Sequence, residues 1–202
     1  VHHLVLTDGS KGTWDVDADT PSLVARRQVE QRGAAEALGA TGEVVFLDQV
    51  DGELGSDLGL RSDVAKVIRR LRPEVLLGHD PWRRYRLHPD HRHAGWLTVD
   101  GAVAARDPHF FPEHGFAHHR PTWLLLFEAD EPNHVEDVEG FVATKLSGLA
   151  AHESQFESTM GVGADDDGEA WEAFEGRVRA KLAEHGSLVG LEAGEAFHRM
   201  AL

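Results

Sequence analysis

The chain contains no cysteine, one tyrosine and two methionines among its 202 residues. Without cysteine there can be no disulfide and no thiolate ligand, so any metal must be held by His, Asp, Glu or water. No apolar run reaches the roughly 18–20 residues of a membrane-spanning helix. We therefore expect no membrane partner and, since cysteine-free chains are compatible with a reducing compartment, a cytoplasmic location.

Basic residues are scarce, with 20 Lys and Arg against 35 Asp and Glu and a net charge of −15. This balance opposes bulk attraction to nucleic-acid phosphates, so no nucleic-acid partner is predicted. Apolar residues make up 41% and glycine adds 21 residues, which is typical of a globular protein. We predict a single domain over residues 1–202, with a core over 1–156 and a helical C-terminal appendage over 157–202.

Short apolar runs alternate with helical patterns along the chain. Strands are predicted over 4–7, 44–47, 75–78 and 123–127, and helices over 22–38, 62–72, 91–105, 136–155 and 169–185. This alternation predicts βαβ units and an α/β fold with a mainly parallel sheet. Ligands of such sheets bind beyond the carboxyl ends of the strands, and polar side chains follow each predicted strand here.

The strongest motif is His88-Pro89-Asp90-His91. If Pro89 opens a helix, His88 and His91 lie one turn apart and converge near its N-terminus. Asp90 can then accept a hydrogen bond from an imidazole and fix its tautomer. Three further histidines could lie nearby, namely His79, His93 and His152. The residues alone leave two interpretations open, a metal or acid–base centre and a solvated histidine-rich loop, because the chain holds 14 histidines.

Several motifs occur in a fixed order along the chain. They are Asp8-Gly9-Ser10-Lys11-Gly12 after the first strand, Arg27-x-x-Glu30 in a helix ending at Leu38-Gly39, Asp51-Gly52, Arg72-Pro73-Glu74-Val75, His88-Pro89-Asp90-His91, Lys145 with His152-Glu153-Ser154-Gln155, and more weakly Glu195-Ala196-Phe197. In this order they resemble the PIG-L-type (GlcNAc-PI de-N-acetylase-like) zinc deacetylases. The resemblance implies a Rossmann-like three-layer fold and hydrolysis of a linear N-acetyl amide on a small glucosamine-type substrate.

The resemblance also implies roles for individual residues. His91 would be a ligand of Zn²⁺, or of another divalent metal in its place. His88 would stabilise the oxyanion or protonate the leaving amine, and Asp90 would orient His88. Arg27 and Asp51 would bind sugar hydroxyls.

The sequence departs from the family pattern at three places. The family's H-P-D-D motif, which supplies two zinc ligands and the general base, is absent, so we expect an N-terminally truncated chain. Arg86 stands where the mycothiol branch carries a tyrosine, and Ala193 stands where the family's C-terminal pattern often has one; both departures argue against a mycothiol-type substrate. Two alternatives remain open, a catalytically inactive metal-binding or scaffold member of the fold and a metal hydrolase of another small substrate such as a phosphoester. The sequence does not determine the oligomeric state of the protein.

Overall fold

The structure is a computed structural model that describes all residues from Val1 to Leu202. The chain forms two compact units. The first contains Val1–Asp51 and Glu136–Glu195, and the second contains Gly52–Val135 and Ala196–Leu202. The organisation as a single domain stays a prediction.

The first unit is built around a parallel strand pair. Its elements are β1 (His3–Thr7), α1 (Thr20–Ala37), β2 (Val44–Gln49), α4 (Val142–Ala150) and α5 (Glu169–Ser187). Strand β1 pairs in parallel with β2, and α1 connects them, which is the βαβ arrangement that the alternating pattern predicts. Helix α1 starts with a proline in its first turn, where the missing N–H costs nothing. It packs against α4.

The second unit is built around a mixed sheet. It contains α2 (Leu58–Leu71), β3 (Val75–His79), α3 (Pro89–Arg106) and β4 (Trp123–Phe127), and the division between the units falls within β5 (His134–Asp137) and β6 (Gly194–Ala201). The strand order is β3-β4-β6-β5. Strands β3 and β4 are parallel and end together, with His79 opposite Phe127, whereas β6 runs antiparallel to β4.

Helices α2 and α3 pack against each other through small residues. The buried face of α2 carries Val64 and Ile68, as its apolar periodicity predicts. On α3, Gly101 faces Val64 so closely that an added Cβ would lie 2.5 Å from Val64 Cγ1. The close approach of the two helices therefore depends on the absence of a side chain at position 101.

The predicted α/β class is confirmed, but two segments differ from the prediction. The helix expected over 136–155 is restricted to Val142–Ala150, because His134–Asp137 forms β5. The region expected to be a helical appendage contains α5 and also the strand β6. Pairing with distant strands outweighs local helix propensity in both segments. Among the helices, none is long and apolar enough to cross a membrane.

Candidate metal and acid–base site

The His88-Pro89-Asp90-His91 motif opens helix α3. His88 is the N-cap with extended backbone angles, and Pro89 occupies the first helical position. One turn of helix therefore separates the two histidines, and their rings converge with centroids 4.8 Å apart and planes inclined by 24°. The sequence spacing predicted this convergence.

A third imidazole joins them from the sheet. His79 is the last residue of β3, and its ring stacks on His91 at 4.3 Å with an angle of 13° between the planes. Phe127, at the end of β4, meets the His79 ring edge-on at 4.4 Å. We call His79, His91 and His88 the histidine stack. It lies at the carboxyl end of the parallel strands, where α/β folds bind their ligands.

A glycine allows α3 to reach the end of β3. An added Cβ at Gly95 would lie 2.7 Å from the carbonyl oxygen of His79 and 2.9 Å from Pro81. These distances are too short for any side chain beyond hydrogen. Gly95 thus brings the first turn of α3, and with it His91, against His79.

Arg86 and Glu128 complete the surroundings of His79. The Arg86 side chain is only 5% exposed, and its Nη1 donates to Glu128 Oε2 at 2.7 Å and to His79 Nδ1 at 2.9 Å. Burial lowers the pKa of His79 to about 4, and the positive charge of Arg86 acts in the same direction. Burial raises the pKa of the Glu128 carboxyl, but the hydrogen bond and charge of Arg86 outweigh it, so that pKa is lowered.

His91 has the properties of a metal ligand. The residue is partly exposed, and its ring nitrogens make no hydrogen bond within the chain. Its pKa is lowered by burial and by the neighbouring His88 and Arg86, which favours the neutral imidazole that binds metals. One donor atom from each of His79, His91 and Glu128 also lies within 4.8 Å of the others. Arg86 already donates to His79 and Glu128, however, so a metal ion bridging them would meet a second positive charge.

Asp90 is buried and holds the backbone of a neighbouring segment. Its carboxylate accepts hydrogen bonds from the N–H of Gly52 at 2.7 Å and from that of Leu54 at 3.2 Å. A ring nitrogen of His88 lies within 4.8 Å of this carboxylate, but no hydrogen bond joins the two side chains. The orientation of His88 by Asp90 therefore stays a prediction.

Arg27 and Asp51 lie in the first unit, around the glycine loop that follows β1. Arg27 donates from Nη1 to the Gly9 carbonyl at 2.7 Å and from Nη2 to the Gly12 carbonyl at 2.6 Å. Asp51 Oδ2 accepts from the N–H of Lys11 at 3.3 Å. Burial lowers the pKa of Arg27, and the charge of Asp51 opposes this shift. Both residues thus shape one loop, and their contact with a sugar stays a prediction.

The Arg27-x-x-Glu30 and His152-x-Ser154-Gln155 motifs are linked by a buried carboxylate. Glu30 accepts hydrogen bonds from the Ser154 N–H at 2.9 Å and from the Ser154 hydroxyl at 2.6 Å. Arg26 donates to the same carboxylate at 2.9 Å. These bonds join α1 to the turn after α4, so this part of the sequence pattern supports the fold of the first unit.

The three additional histidines have different surroundings. His79 joins the histidine stack, His93 contacts the Ser56 hydroxyl at 3.2 Å, and His152 belongs to the first unit. Sequence reasoning did not select Arg86 or Glu128 as functional residues. Their positions in the sequence could have identified them, because Glu128 directly follows β4 and Arg86 lies two residues before the His88-Pro89-Asp90-His91 motif.

Comparisons with known proteins place this chain in a family. A sequence model of PIG-L, described as GlcNAc-PI de-N-acetylase, matches residues 1–101. The chain is 33% identical over 193 residues to diacetylchitobiose deacetylase of Thermococcus kodakarensis, and the alignment covers 94% of this chain and 68% of that protein.

Solved structures show the same relationship. The N,N'-diacetylchitobiose deacetylase from Pyrococcus horikoshii superposes with a TM-score of 0.85 and 28% identity, over 100% of this chain and 73% of the other. The 4-carboxy-2-hydroxymuconate hydratase from Pseudomonas putida superposes with a TM-score of 0.75 over 100% and 84% of the chains. At 20% identity the hydratase shares the fold alone.

The Rossmann-like α/β class predicted from the sequence is confirmed by the match to the deacetylase. The family model matches half of the chain, and the alignment with the relative from Thermococcus kodakarensis covers 94% of it. The chain therefore belongs to the PIG-L, or GlcNAc-PI de-N-acetylase, family.

Proposed function

We propose that the protein is an N-deacetylase that hydrolyses the N-acetyl amide of a small glucosamine-type saccharide, with Zn²⁺ as its metal. The observation that carries the proposal is the convergence of His88 and His91 at the carboxyl end of the parallel strands in a chain of this family. The relative that acts on diacetylchitobiose supports the substrate class. Water adds to the acetyl carbon, the C–N bond breaks, and acetate and a free amine leave.

His91 would hold the metal, because its ring nitrogens have no hydrogen-bond partner within the chain and its lowered pKa favours the neutral imidazole. When bound, Zn²⁺ would supply Lewis acidity and would lower the pKa of the attacking water. The proton transfers are then carried out by side chains of the protein.

His88 carries the proton to the leaving amine or stabilises the oxyanion. Its ring lies 4.8 Å from that of His91 and is exposed to an incoming substrate. Such proton transfer typically contributes about 10²- to 10⁴-fold to the rate. In this proposal the Asp90 carboxylate, within 4.8 Å of a His88 nitrogen, orients that ring.

Arg27 and Asp51 serve substrate binding. The Asp51 carboxylate offers an acceptor for a sugar hydroxyl, and it borders the loop whose carbonyls Arg27 holds. In this proposal Arg27 holds the loop through its hydrogen bonds to the carbonyls of Gly9 and Gly12, and its remaining N–H groups are donors for a sugar hydroxyl. We propose no macromolecular partner for the reaction.

The test is the release of acetate and free amine from N,N'-diacetylchitobiose and from N-acetylglucosamine. We expect activity to disappear after chelation and to return when Zn²⁺ is added. His91→Ala should lose bound zinc and at least about 100-fold in kcat/KM. His109→Ala is the matched control, because His109 is exposed and has no side-chain partner. Full activity of His91→Ala, or no acetate from either sugar with zinc restored, would overturn the proposal.

A further inference from the structure

We propose that Arg86, Glu128 and His79 form a positioning unit that sets the ring plane of His91, to which the proposed function assigns the metal. None of the three needs to touch the substrate. They act through His91, and the inference rests on the proposed function only in that assignment.

The first argument is the burial of Arg86. A guanidinium that is 5% exposed loses its hydration, and both Nε and Nη2 of Arg86 are buried without a partner. Burying a guanidinium is costly, and its hydrogen bonds to charged and polar partners offset part of that cost. The nitrogen that is bonded, Nη1, reaches Glu128 Oε2 and His79 Nδ1 together.

The second argument concerns the tautomer of His79. A guanidinium can only donate, so His79 Nδ1, at 2.9 Å from Arg86 Nη1, must be unprotonated and accept. A proton on Nδ1 would place two N–H donors against each other. Glu128 Oε2 lies 3.4 Å from Nδ1 and holds the guanidinium in place from the other side. His79 therefore carries its proton on Nε2, and both its tautomer and its ring plane are fixed.

The third argument is the absence of a hydrogen-bonded support for His91. Metal-binding histidines usually donate their second ring nitrogen to a carboxylate or carbonyl, which fixes the ring. His91 makes no such bond within the chain. Its ring instead lies against the His79 ring at 4.3 Å and 13°, and Phe127 packs on His79 at 4.4 Å. Stacking on an immobilised imidazole thus replaces the hydrogen bond that orients other metal-binding histidines.

The test uses Zn²⁺ alone, without substrate. Arg86→Met keeps the length of the side chain but removes its N–H donors. We expect it to raise the Kd for Zn²⁺ by roughly 10- to 100-fold. Arg83→Met is the matched control, because Arg83 approaches the same Glu128 carboxylate at 3.6 Å but is 40% exposed. It should change the Kd less than about threefold.

Two substitutions of His79 keep the test independent of the folding of the Arg86 variant. His79→Phe retains a stacking ring but cannot accept the hydrogen bond from Arg86, so it should raise the zinc Kd by roughly 10-fold, whereas His79→Ala, which loses both the bond and the ring, should raise it by up to roughly 100-fold. In addition, ¹⁵N NMR of the imidazoles should show His79 with Nδ1 unprotonated and Nε2 protonated, and Arg86→Met should lose this preference.

Unchanged zinc affinity in folded His79→Ala and Arg86→Met would overturn the inference, as would a protonated Nδ1 in the unchanged protein. A protein that binds no zinc would overturn the metal assignment and this inference with it. If zinc binds and the variants behave as expected but no sugar is deacetylated, the proposed function fails and the positioning unit stands.

Discussion

The imidazole of His79, at the end of strand β3, stacks on that of His91, in the first turn of helix α3, with centroids 4.3 Å apart and 13° between the planes. Twelve positions separate the two residues in the sequence. Their contact joins the edge of the sheet to the start of the helix that carries the His88-Pro89-Asp90-His91 motif. The geometry of the candidate site therefore depends on how closely α3 approaches β3.

Gly95→Ala tests this approach. The new Cβ would lie 2.7 Å from the His79 carbonyl oxygen, so we expect the free energy of unfolding to fall by about 1–3 kcal/mol. Urea denaturation measures the change. Gly176→Ala is the control, because it lies in helix α5 with nothing within 4 Å of an added Cβ. It should stabilise the protein by about 0.5–1 kcal/mol. Equal stability of Gly95→Ala and the unchanged protein would contradict the close approach.

Asp90→Asn tests the buried carboxylate. Asp90 accepts from the N–H groups of Gly52 and Leu54 with different oxygens, and an amide would turn a donor towards one of them. We expect a loss of about 1–3 kcal/mol in the free energy of unfolding, measured by urea denaturation. Asp165→Asn, at an exposed position, should change it by less than about 0.5 kcal/mol. A similar small change in both variants would show that the two hydrogen bonds contribute little.

The stability of the protein should depend on pH through His79. Its pKa is about 4 in the folded chain against 6.5 for an ordinary histidine, so the unfolded chain binds more protons between these values. The free energy of unfolding should therefore fall as the pH is lowered from about 6.5 to about 4, with this histidine contributing up to about 1.4 kcal/mol per pH unit. His79→Phe, which keeps a ring but cannot titrate, should flatten the slope. Identical slopes in denaturation at pH 4.5, 5.5 and 6.5 would refute this origin.

Tyr85→Gly tests backbone strain beside Arg86. Tyr85 has a φ of 58° and is 93% exposed, so its side chain gains no burial while its backbone adopts a conformation that favours glycine. We expect an unchanged or higher free energy of unfolding, by up to about 1 kcal/mol. Thermal denaturation of this variant alongside Tyr85→Phe gives the comparison. A loss of more than about 1 kcal/mol would show that the tyrosine makes a stabilising contact.

Local patterns predicted much of the fold and part of the site. The apolar stripe of α2, the proline that opens α3 and the alternation of strands with helices are properties of neighbouring residues, so periodicity detects them. The convergence of His88 and His91 has the same origin, because a helical turn separates them. Strands β5 and β6 were not predicted, since these segments become strands only through pairing with distant residues.

By itself, the sequence determined the α/β class, the family motifs and the pair of histidines at the start of α3. Only the tertiary structure decided that Arg86 is buried, that it contacts both His79 and Glu128, and that His79 rather than His93 stacks on His91. It also showed that the terminal nitrogens of Arg27 are bonded to the loop after β1. The physical reason is that these contacts join residues from different elements, and their distances depend on how the elements pack, which no local periodicity encodes.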